Sequence, residues 1–356
     1  MKRSRHGVGF TYFVLWVSQY LESKYSYSPT LFVYPKIIMS VGALRRKNRK
    51  NMKTIIQFPH PGGEHNNKTG TKWNTGSHKR KYLKVKGSYL KTLSSKPIKD
   101  TVYFWGEWEA QSHVTPISGV IKHNFPKYIF EPCYKLPVGT ANTDPFVFGN
   151  QFYYCICKQG HYPALRNLDK GDMILFGSNL NKHFVLDTVF VIKDWQEFEI
   201  KDLASLKSKF NDAFYHASLE PIINAKQVTS KCIAVDTKTG LCLPENGDNN
   251  DDDKTVLNGK YRIYEAVMYS DKDSFNGIFS YSPCLPDPVG RNGFARPIIN
   301  HSSVSQGLNQ GIKIIKNEDV VKVWNEITTS ILNQDNNLNL MINTELPSIC
   351  TNLKNQ

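Results

Sequence analysis

Two carboxylates and two indoles stand close together in the segment Trp105-Gly-Glu-Trp-Glu109. Alternation along a strand would place Trp105, Glu107 and Glu109 on one face and Trp108 on the other. An indole stacks on a planar ring and a carboxylate accepts hydrogen bonds from an amine or a hydroxyl, so the segment favours a pocket for a base or a sugar. Paired carboxylates also suit acid–base catalysis or a divalent cation. The alternative, aromatic packing in the core, leaves the two carboxylates unexplained.

The loop from Pro59 to His65 carries a second candidate set, which consists of His60, Glu64 and His65. Its prolines and its glycine pair exclude the helix on which His-Glu-x-x-His metal sites are built. Loops that follow a strand often carry binding and catalytic groups. Three interpretations follow: a metal site, a ligand-facing loop without a metal, and an ordinary connection.

Two arginines complete the candidate ligand-binding residues. Arg166 precedes a predicted strand, where it would clamp a phosphate, and a surface arginine is the alternative. Arg296 lies in the segment Gly293–Pro297, which would line a pocket if it returned to the mouth of a barrel. A plain connection is the alternative for that segment.

The seven cysteines are odd in number and scattered along the chain. That pattern indicates a reducing compartment rather than a disulfide framework, and we expect a cytoplasmic protein. Cys155 and Cys157 alternate within an apolar run, which would place both thiols on one face of a strand. Without a second ligand pair, two small buried residues are favoured over a zinc site.

Apolar runs rich in Val, Ile, Phe and Tyr predict strands at 53–58, 152–157, 173–176 and 184–192. Gly171 and Asp172 suit the turn before the third run, and 177–182 closes a hairpin to the fourth. Helical spacing of apolar residues predicts helices over 194–217 and 317–332.

The segment Leu165-Arg-Asn-Leu-Asp-Lys-Gly-Asp-Met-Ile-Leu-Phe-Gly-Ser178 resembles the small β-barrels of the PUA-like group, which includes the ASCH and EVE domains. In that group a Gly-Asp turn launches a central barrel strand. A wider set of segments (104–109, 143–146 and 279–284) is similar to the "nucleotide modification associated" families. The resemblance implies an α+β fold, mostly antiparallel β with a PUA-like small barrel and a few packing helices. It also implies a nucleic-acid or modified-nucleotide ligand.

The net charge of +14 is concentrated in the first hundred residues, and the rest of the chain is slightly acidic. Basic residues interleaved with aromatic ones at 66–99 suit a nucleic-acid backbone, and a solvated surface explains them as well. We expect 1–51 to be a non-globular leader or upstream extension, 52–332 a single α+β domain and 333–356 a polar tail. No apolar run is long enough for a membrane span.

Two functional hypotheses follow. The first is a binding module that reads a nucleic-acid base or a modified nucleotide in an aromatic and acidic pocket. The second is an enzyme acting on nucleotides or modified bases, which uses Glu107 and Glu109 with His60 or His65 as catalytic candidates. No cofactor is predicted, and a divalent metal is considered only for the second hypothesis. A structural protein without a small ligand is a third interpretation.

Overall fold

The structure is a computed structural model of the 356-residue chain, which divides after Met52 into two units. It describes residues 53–64, 74–76, 78–119, 124–229, 234–235, 242–243, 260–316, 318–334 and 337–350. All of these belong to the second unit. The predicted leader 1–51 therefore lies outside the described residues, as does His65.

The described strands form three sheets. The strands are β1 (Ile55–Glu64), β2 (Lys81–Leu90), β3 (Ile98–Gly106), β4 (Ser112–Pro116), β5 (Tyr128–Tyr134), β6 (Tyr153–Tyr154), β7 (Met173–Leu180), β8 (His183–Glu199), β9 (Ala234–Val235), β10 (Cys242–Leu243), β11 (Lys260–Ala266), β12 (Ser282–Pro286), β13 (Lys313–Ile315), β14 (Asn339–Thr344) and β15 (Ser348–Ile349). β9 and β10 pair only with each other.

A six-stranded sheet has the order β13-β1-β7-β8-β11-β6. β1 and β7 are parallel, and the other neighbours are antiparallel. The predicted hairpin is confirmed as β7 and β8, joined by Asn181 and Lys182. Both turn residues have positive φ (53° and 67°), as a two-residue turn of the mirror-image type requires. β7 therefore continues to Leu180, beyond its predicted end.

A closed four-stranded barrel forms the centre of the second sheet. Its strands follow the order β14-β12-β3-β2, and β14 also pairs with β2, which closes the ring. β5 extends this sheet from β2 and carries β4 and β15. The fold is thus α+β, mostly antiparallel, with a small closed barrel and few helices, as predicted. The hairpin that carries the resemblance to PUA-like domains lies in the other sheet, outside the closed barrel.

The helices of the described residues are short. They are α1 (Asp212–Phe214), a π-helical turn (Tyr215–Leu219), α2 (Glu220–Thr229), α3 (Val320–Leu332) and four 3₁₀ segments (Pro163–Arg166, Ile200–Lys209, Tyr269–Phe275 and Val289–Asn292). The predicted amphipathic helix is confirmed as α3, and the Asp319 side chain caps it by accepting from the N–H of Val321 and Lys322. Among the described helices, none has the length and apolar character needed to cross a membrane.

Two local predictions are wrong because neighbouring strands override the local pattern. The helix predicted from Asp194 is wrong at its start, since β8 runs on to Glu199 and pairs with β11. A 3₁₀ segment follows at Ile200–Lys209, and α-helix begins at Asp212. The polar tail predicted from residue 333 contains β14, in which Leu340 and Met341 are fully buried in the barrel. A short apolar run between asparagines is enough to complete the ring.

A disulfide joins Cys133 at the end of β5 to Cys350, next to β15. The interpretation of the cysteines as a reducing-compartment pattern did not predict this disulfide. The two residues are 217 positions apart, so sequence spacing gives no sign of their pairing. The parallel pairing of β15 with β5 brings them together. Cys155, Cys157 and Cys284 are free thiols.

Candidate functional site

A bulge in β1 places His60. Pro59 lies opposite Gly177 and Gly63 opposite Asn179, so β1 holds two more residues than β7 over this stretch. The predicted loop is therefore an irregular continuation of the strand, which is a correction. Bulges redirect side chains and are common beside active sites. Gly62 permits this one, because its φ is +107° and a Cβ there would lie 2.7 Å from the carbonyl oxygen of Asn309.

The imidazole of His60 contacts a carboxylate through one ring nitrogen and a thiol through the other. Its Nδ1 lies 3.0 Å from Oε2 of Glu107, and its Nε2 lies 2.6 Å from Sγ of Cys157. A carboxylate beside Nδ1 holds the proton on that nitrogen, which leaves Nε2 as the acceptor for the thiol proton. The three residues form what we call the thiol–imidazole–carboxylate chain. Its order of nucleophile, base and orienting group is that of known catalytic triads.

The backbone of Cys157 is held on both sides. Its N–H donates to Oδ2 of Asp144 at 2.7 Å, and its carbonyl oxygen accepts from the hydroxyl of Tyr154 at 2.7 Å. Asp144 also accepts from the N–H groups of Cys155 and Ile156, both at 2.8 Å. The N–H of Asp144 itself donates to Oε1 of Glu107. Asp144 therefore links the segment that carries the thiol to the carboxylate that orients the imidazole.

Cys155 and Cys157 occupy different environments. The predicted strand over 152–157 is reduced to β6 at Tyr153–Tyr154, and both cysteines follow it in irregular structure and a turn. Cys155 is fully buried, whereas Cys157 is partly exposed. The expectation that both are small buried residues is thus wrong for Cys157, because the strand ends before alternation can place the two thiols on one face.

Burial fixes the charge states around the thiol. It raises the pKa of Cys157 well above its usual value, and the nearby carboxylates of Glu107 and Asp144 raise it further. Burial alone would also raise the pKa of Glu107, but His60 and Arg80 outweigh it and hold that pKa below its usual range. The thiol of Cys157 is therefore neutral at rest, and the Glu107 carboxylate beside His60 is ionised.

Glu107 also belongs to a larger set of buried ionisable residues. This buried charge cluster consists of His60, Glu64, Arg80, Glu107, Asp187 and Arg296. Arg80 donates through Nη1 to Glu107 and through Nε to Oδ2 of Asp187 at 2.6 Å. Arg296 donates to Oδ1 of the same Asp187 at 3.3 Å and to Oε2 of Glu64 at 2.9 Å.

A second bulge places Asp187 in this cluster. Phe176 lies opposite Thr188 and Gly177 opposite Leu186, so Asp187 is the extra residue of β8. Gly177 lies beside this bulge, where the backbone of β8 approaches so closely that a side chain would not fit. A Cβ there would lie 2.1 Å from the carbonyl oxygen of Val185. The bulges of β1 and β8 thus face β7 from its two sides. They deliver His60 and Asp187 to one buried region.

Each of the two guanidinium groups of the cluster has one nitrogen atom without a hydrogen-bond partner among the described residues. Arg80 is 1% exposed and Arg296 is 3% exposed. Within the described part of the chain, neither Nη2 of Arg80 nor Nε of Arg296 has a hydrogen-bond partner. A buried donor without a partner is costly, so each of these atoms calls for an explanation.

Glu109 lies beside the cluster and has its own partners. Its Oε1 accepts from Nζ of Lys81 at 3.1 Å and from the N–H of His78 at 2.9 Å. Side-chain ligand atoms of His78, Glu107 and Glu109 lie within 4.8 Å of one another, which is a possible metal-binding arrangement. Both carboxylates already face a cation, Arg80 or Lys81, so their charge is balanced without a metal. The predicted divalent metal stays a prediction.

The two tryptophans belong to different clusters of the core, Trp105 within β3 and Trp108 just after this strand ends. Nε1 of Trp105 donates to the carbonyl oxygen of Phe294, and Nε1 of Trp108 donates to that of Gln111. Trp108 is fully buried, and Trp105 packs under the guanidinium of Arg296 at 5.1 Å. Both indoles are thus core residues, and the structure does not bring them together in one pocket.

Of the predicted site residues, His60, Glu64, Glu107 and Arg296 meet in the buried charge cluster, with Glu109 next to it. Arg166 ends a 3₁₀ segment and is not part of the cluster. Sequence reasoning missed Cys157, Arg80, Asp144 and Asp187 as site residues. The available signal was the pair Asp144-Pro145 together with Cys157 beside a polar turn.

A surface pocket of about 360 Å³ lies at the other end of the cluster. Arg296 lines it together with His183, Asn181 and Asn300, whereas neither Cys157 nor His60 does. The pocket and the thiol are therefore separate features of the surface.

Comparisons with protein families, with curated proteins and with solved structures find no match for this chain. The resemblance to PUA-like domains stays a prediction.

Proposed function

We propose that this protein is a thiol-dependent acyl-transfer enzyme, a hydrolase or a transferase. Cys157 is its nucleophile, His60 its general base and Glu107 the residue that orients the imidazole. The observation that carries the proposal is the continuous contact from Sγ of Cys157 through both ring nitrogens of His60 to Oε2 of Glu107. Neither packing nor charge balance requires a partly exposed thiol at the end of such a chain.

The chemistry follows from the charge states. As Sγ attacks a carbonyl carbon, the thiol proton moves to Nε2 of His60, and the resulting imidazolium is stabilised by Glu107. The imidazolium then protonates the leaving group, and the acyl group remains on Cys157 as a thioester. Water or another acceptor, deprotonated by His60, attacks the thioester and regenerates the thiol. A neutral resting thiol suits this sequence, because its proton is taken only during attack.

This proposal retains part of the second functional hypothesis, since His60 and Glu107 act together in both. It assigns the nucleophile to a residue outside the original candidates. Nucleotides or modified bases as substrates stay a prediction, as does the nucleic-acid reader. The buried positions of Trp105 and Trp108 do not support the reader, because base stacking needs an accessible ring face.

The proposal is tested with p-nitrophenyl acetate, an activated ester that reports acylation without knowledge of the natural substrate. Release of nitrophenolate is followed with the full chain, and the acetylated cysteine is identified by peptide mass spectrometry. We expect acetyl transfer to Cys157 and its loss in Cys157→Ala. We expect the rate to fall about 10²–10⁴-fold in Glu107→Gln and in His60→Gln, because base catalysis and orientation of the base contribute on that scale.

Cys155→Ala is the matched control, since this neighbouring thiol does not contact His60 in the structure. It should keep the acylation rate of the wild type within a small factor. Acetylation spread over several cysteines, or an unchanged rate in both His60→Gln and Glu107→Gln, would contradict the proposal.

A further inference from the structure

We propose that the surface pocket lined by Arg296 is a binding site for a neutral, polyhydroxylated ligand about the size of a monosaccharide. The volume of the pocket, about 360 Å³, is at the lower end of the range for small-molecule sites. Neither Cys157 nor His60 lines the pocket. The inference therefore goes beyond the proposed acyl transfer and does not depend on it.

Neutral polar side chains from separate segments of the chain converge on this pocket. They come from a loop before β5, from the β7–β8 hairpin, from the segment after β12 and from the end of α3, and they are Asn124, Asn181, His183, Asn300, Ser330 and Gln334. Amide and hydroxyl groups both donate and accept hydrogen bonds, as the hydroxyls of a sugar do. Within the described part of the chain, the side chains of Asn181, His183 and Asn300 have no hydrogen-bond partner, so they are free to bind a ligand.

The hairpin holds Asn181 in a fixed position at the pocket. Leu180 and His183 lie opposite each other in the paired strands, and Asn181 forms the turn between them with a φ of 53°. Asparagine tolerates this left-handed conformation better than most residues. A polar group that is already held in place loses little conformational entropy when a ligand binds.

The charges around the pocket favour a neutral ligand. No carboxylate is among the residues that line it, so neither an organic cation nor a hard metal ion finds a partner there. Arg296 is the one lysine or arginine in the lining, and its guanidinium already binds Glu64 at 2.9 Å and Asp187 at 3.3 Å. An anionic ligand would therefore compete with two buried carboxylates.

The apolar part of the lining favours a sugar over a nucleobase. It includes the aliphatic side chains of Leu180, Val185 and Ile298, which suit the C–H groups of a saturated ring. No Trp, Tyr or Phe lines the pocket, so it lacks the ring on which a base usually stacks. A monosaccharide combines C–H groups with hydroxyls along its edge, which matches both parts of the lining.

Saturation-transfer difference NMR of the full chain with the methyl α-glycosides of glucose, mannose and galactose tests the proposal. We expect at least one of them to bind with a dissociation constant of about 1 mM, because a ligand of about a dozen non-hydrogen atoms reaches that range. Glucuronic acid and uridine serve as the charged and the base-containing alternatives. Tighter binding of either one than of every neutral glycoside would show that the ligand class is wrong, and no binding of any glycoside at about 20 mM would overturn the inference.

Asn181→Gly and Lys182→Gly form a matched pair of variants. Both residues have positive φ in the same turn, which glycine adopts readily, but only Asn181 lines the pocket. Asn181→Gly should weaken glycoside binding about 3–10-fold, the usual effect of one neutral hydrogen bond. Lys182→Gly should leave it unchanged. Equal effects in the two variants would place the bound sugar outside this pocket.

Asn300→Ala tests the same site from a different segment, so the inference stays testable if the turn does not tolerate Asn181→Gly. We again expect a loss of about 3–10-fold in affinity for the glycoside. An unchanged affinity in Asn300→Ala and Asn181→Gly alike would overturn the inference. Cys157→Ala should bind the glycoside as the wild type does, which separates this site from the proposed catalytic thiol.

Discussion

Replacing Arg296 by methionine tests whether the buried charge cluster stabilises the fold. The guanidinium donates to Glu64 at 2.9 and 3.2 Å, to Ser178 at 2.9 Å and to Asp187 at 3.3 Å. Arg296→Met would leave two buried carboxylates with Arg80 as their remaining strong cation. Removing one partner of a buried ion pair costs about 3–5 kcal/mol, and the upper part of that range applies because two carboxylates lose a partner.

Urea denaturation followed by tryptophan fluorescence measures the loss in free energy of unfolding. Lys84→Met is the control, since its pair with Glu131 is exposed (34% and 43%) and is expected to contribute at most about 1 kcal/mol. The double variant Arg296→Met/Glu64→Leu removes both members of the ion pair. We expect its loss in free energy of unfolding to be smaller than the sum of the losses in the two single variants. A loss in Arg296→Met no larger than that in Lys84→Met would refute the reasoning.

Two further predictions concern the disulfide and Asp144. In Cys350→Ser we expect the free energy of unfolding to fall by about 2–5 kcal/mol, and dithiothreitol should lower it in the wild type but not further in the variant. Burial raises the pKa of Asp144 to about 7 in the folded protein, from a value near 4 in the unfolded chain. The protonated side chain therefore stabilises the fold fully below about pH 4, and this stabilisation is lost as the pH rises through about 7. Urea titrations between about pH 5 and about pH 8 should therefore show stability falling with pH in the wild type and a flatter profile in Asp144→Asn.

Much of the fold could be predicted because its signals are local. The β7–β8 hairpin has turn chemistry between two apolar runs, and α3 has an apolar stripe with a capping aspartate. The strand that closes the barrel and the disulfide could not be predicted from the sequence, because both depend on pairings between distant segments. β14 is a short apolar run in a polar context, and its stability comes from the two strands beside it.

The candidate site could be predicted only in part, for a related reason. His60 and Glu107 were identified by residue type, but the contact between them spans 47 residues and that between His60 and Cys157 spans 97. Bulges bring His60 and Asp187 inward, and a bulge breaks the alternation from which side-chain direction is inferred. The environment of Cys157 was predicted wrongly because the residue was assigned to a strand that ends three residues earlier.

A buried ionic network alone is weak evidence for catalysis, because such networks also occur as structural features. Geometry adds an argument here. Oε2 of Glu107 lies 3.0 Å from Nδ1 of His60, and Nε2 of the same ring lies 2.6 Å from Sγ of Cys157. The proposed attack by Cys157 moves the thiol proton to His60, so positive charge develops on the ring beside the carboxylate of Glu107. That interaction strengthens during the attack, which is what catalysis by differential stabilisation requires.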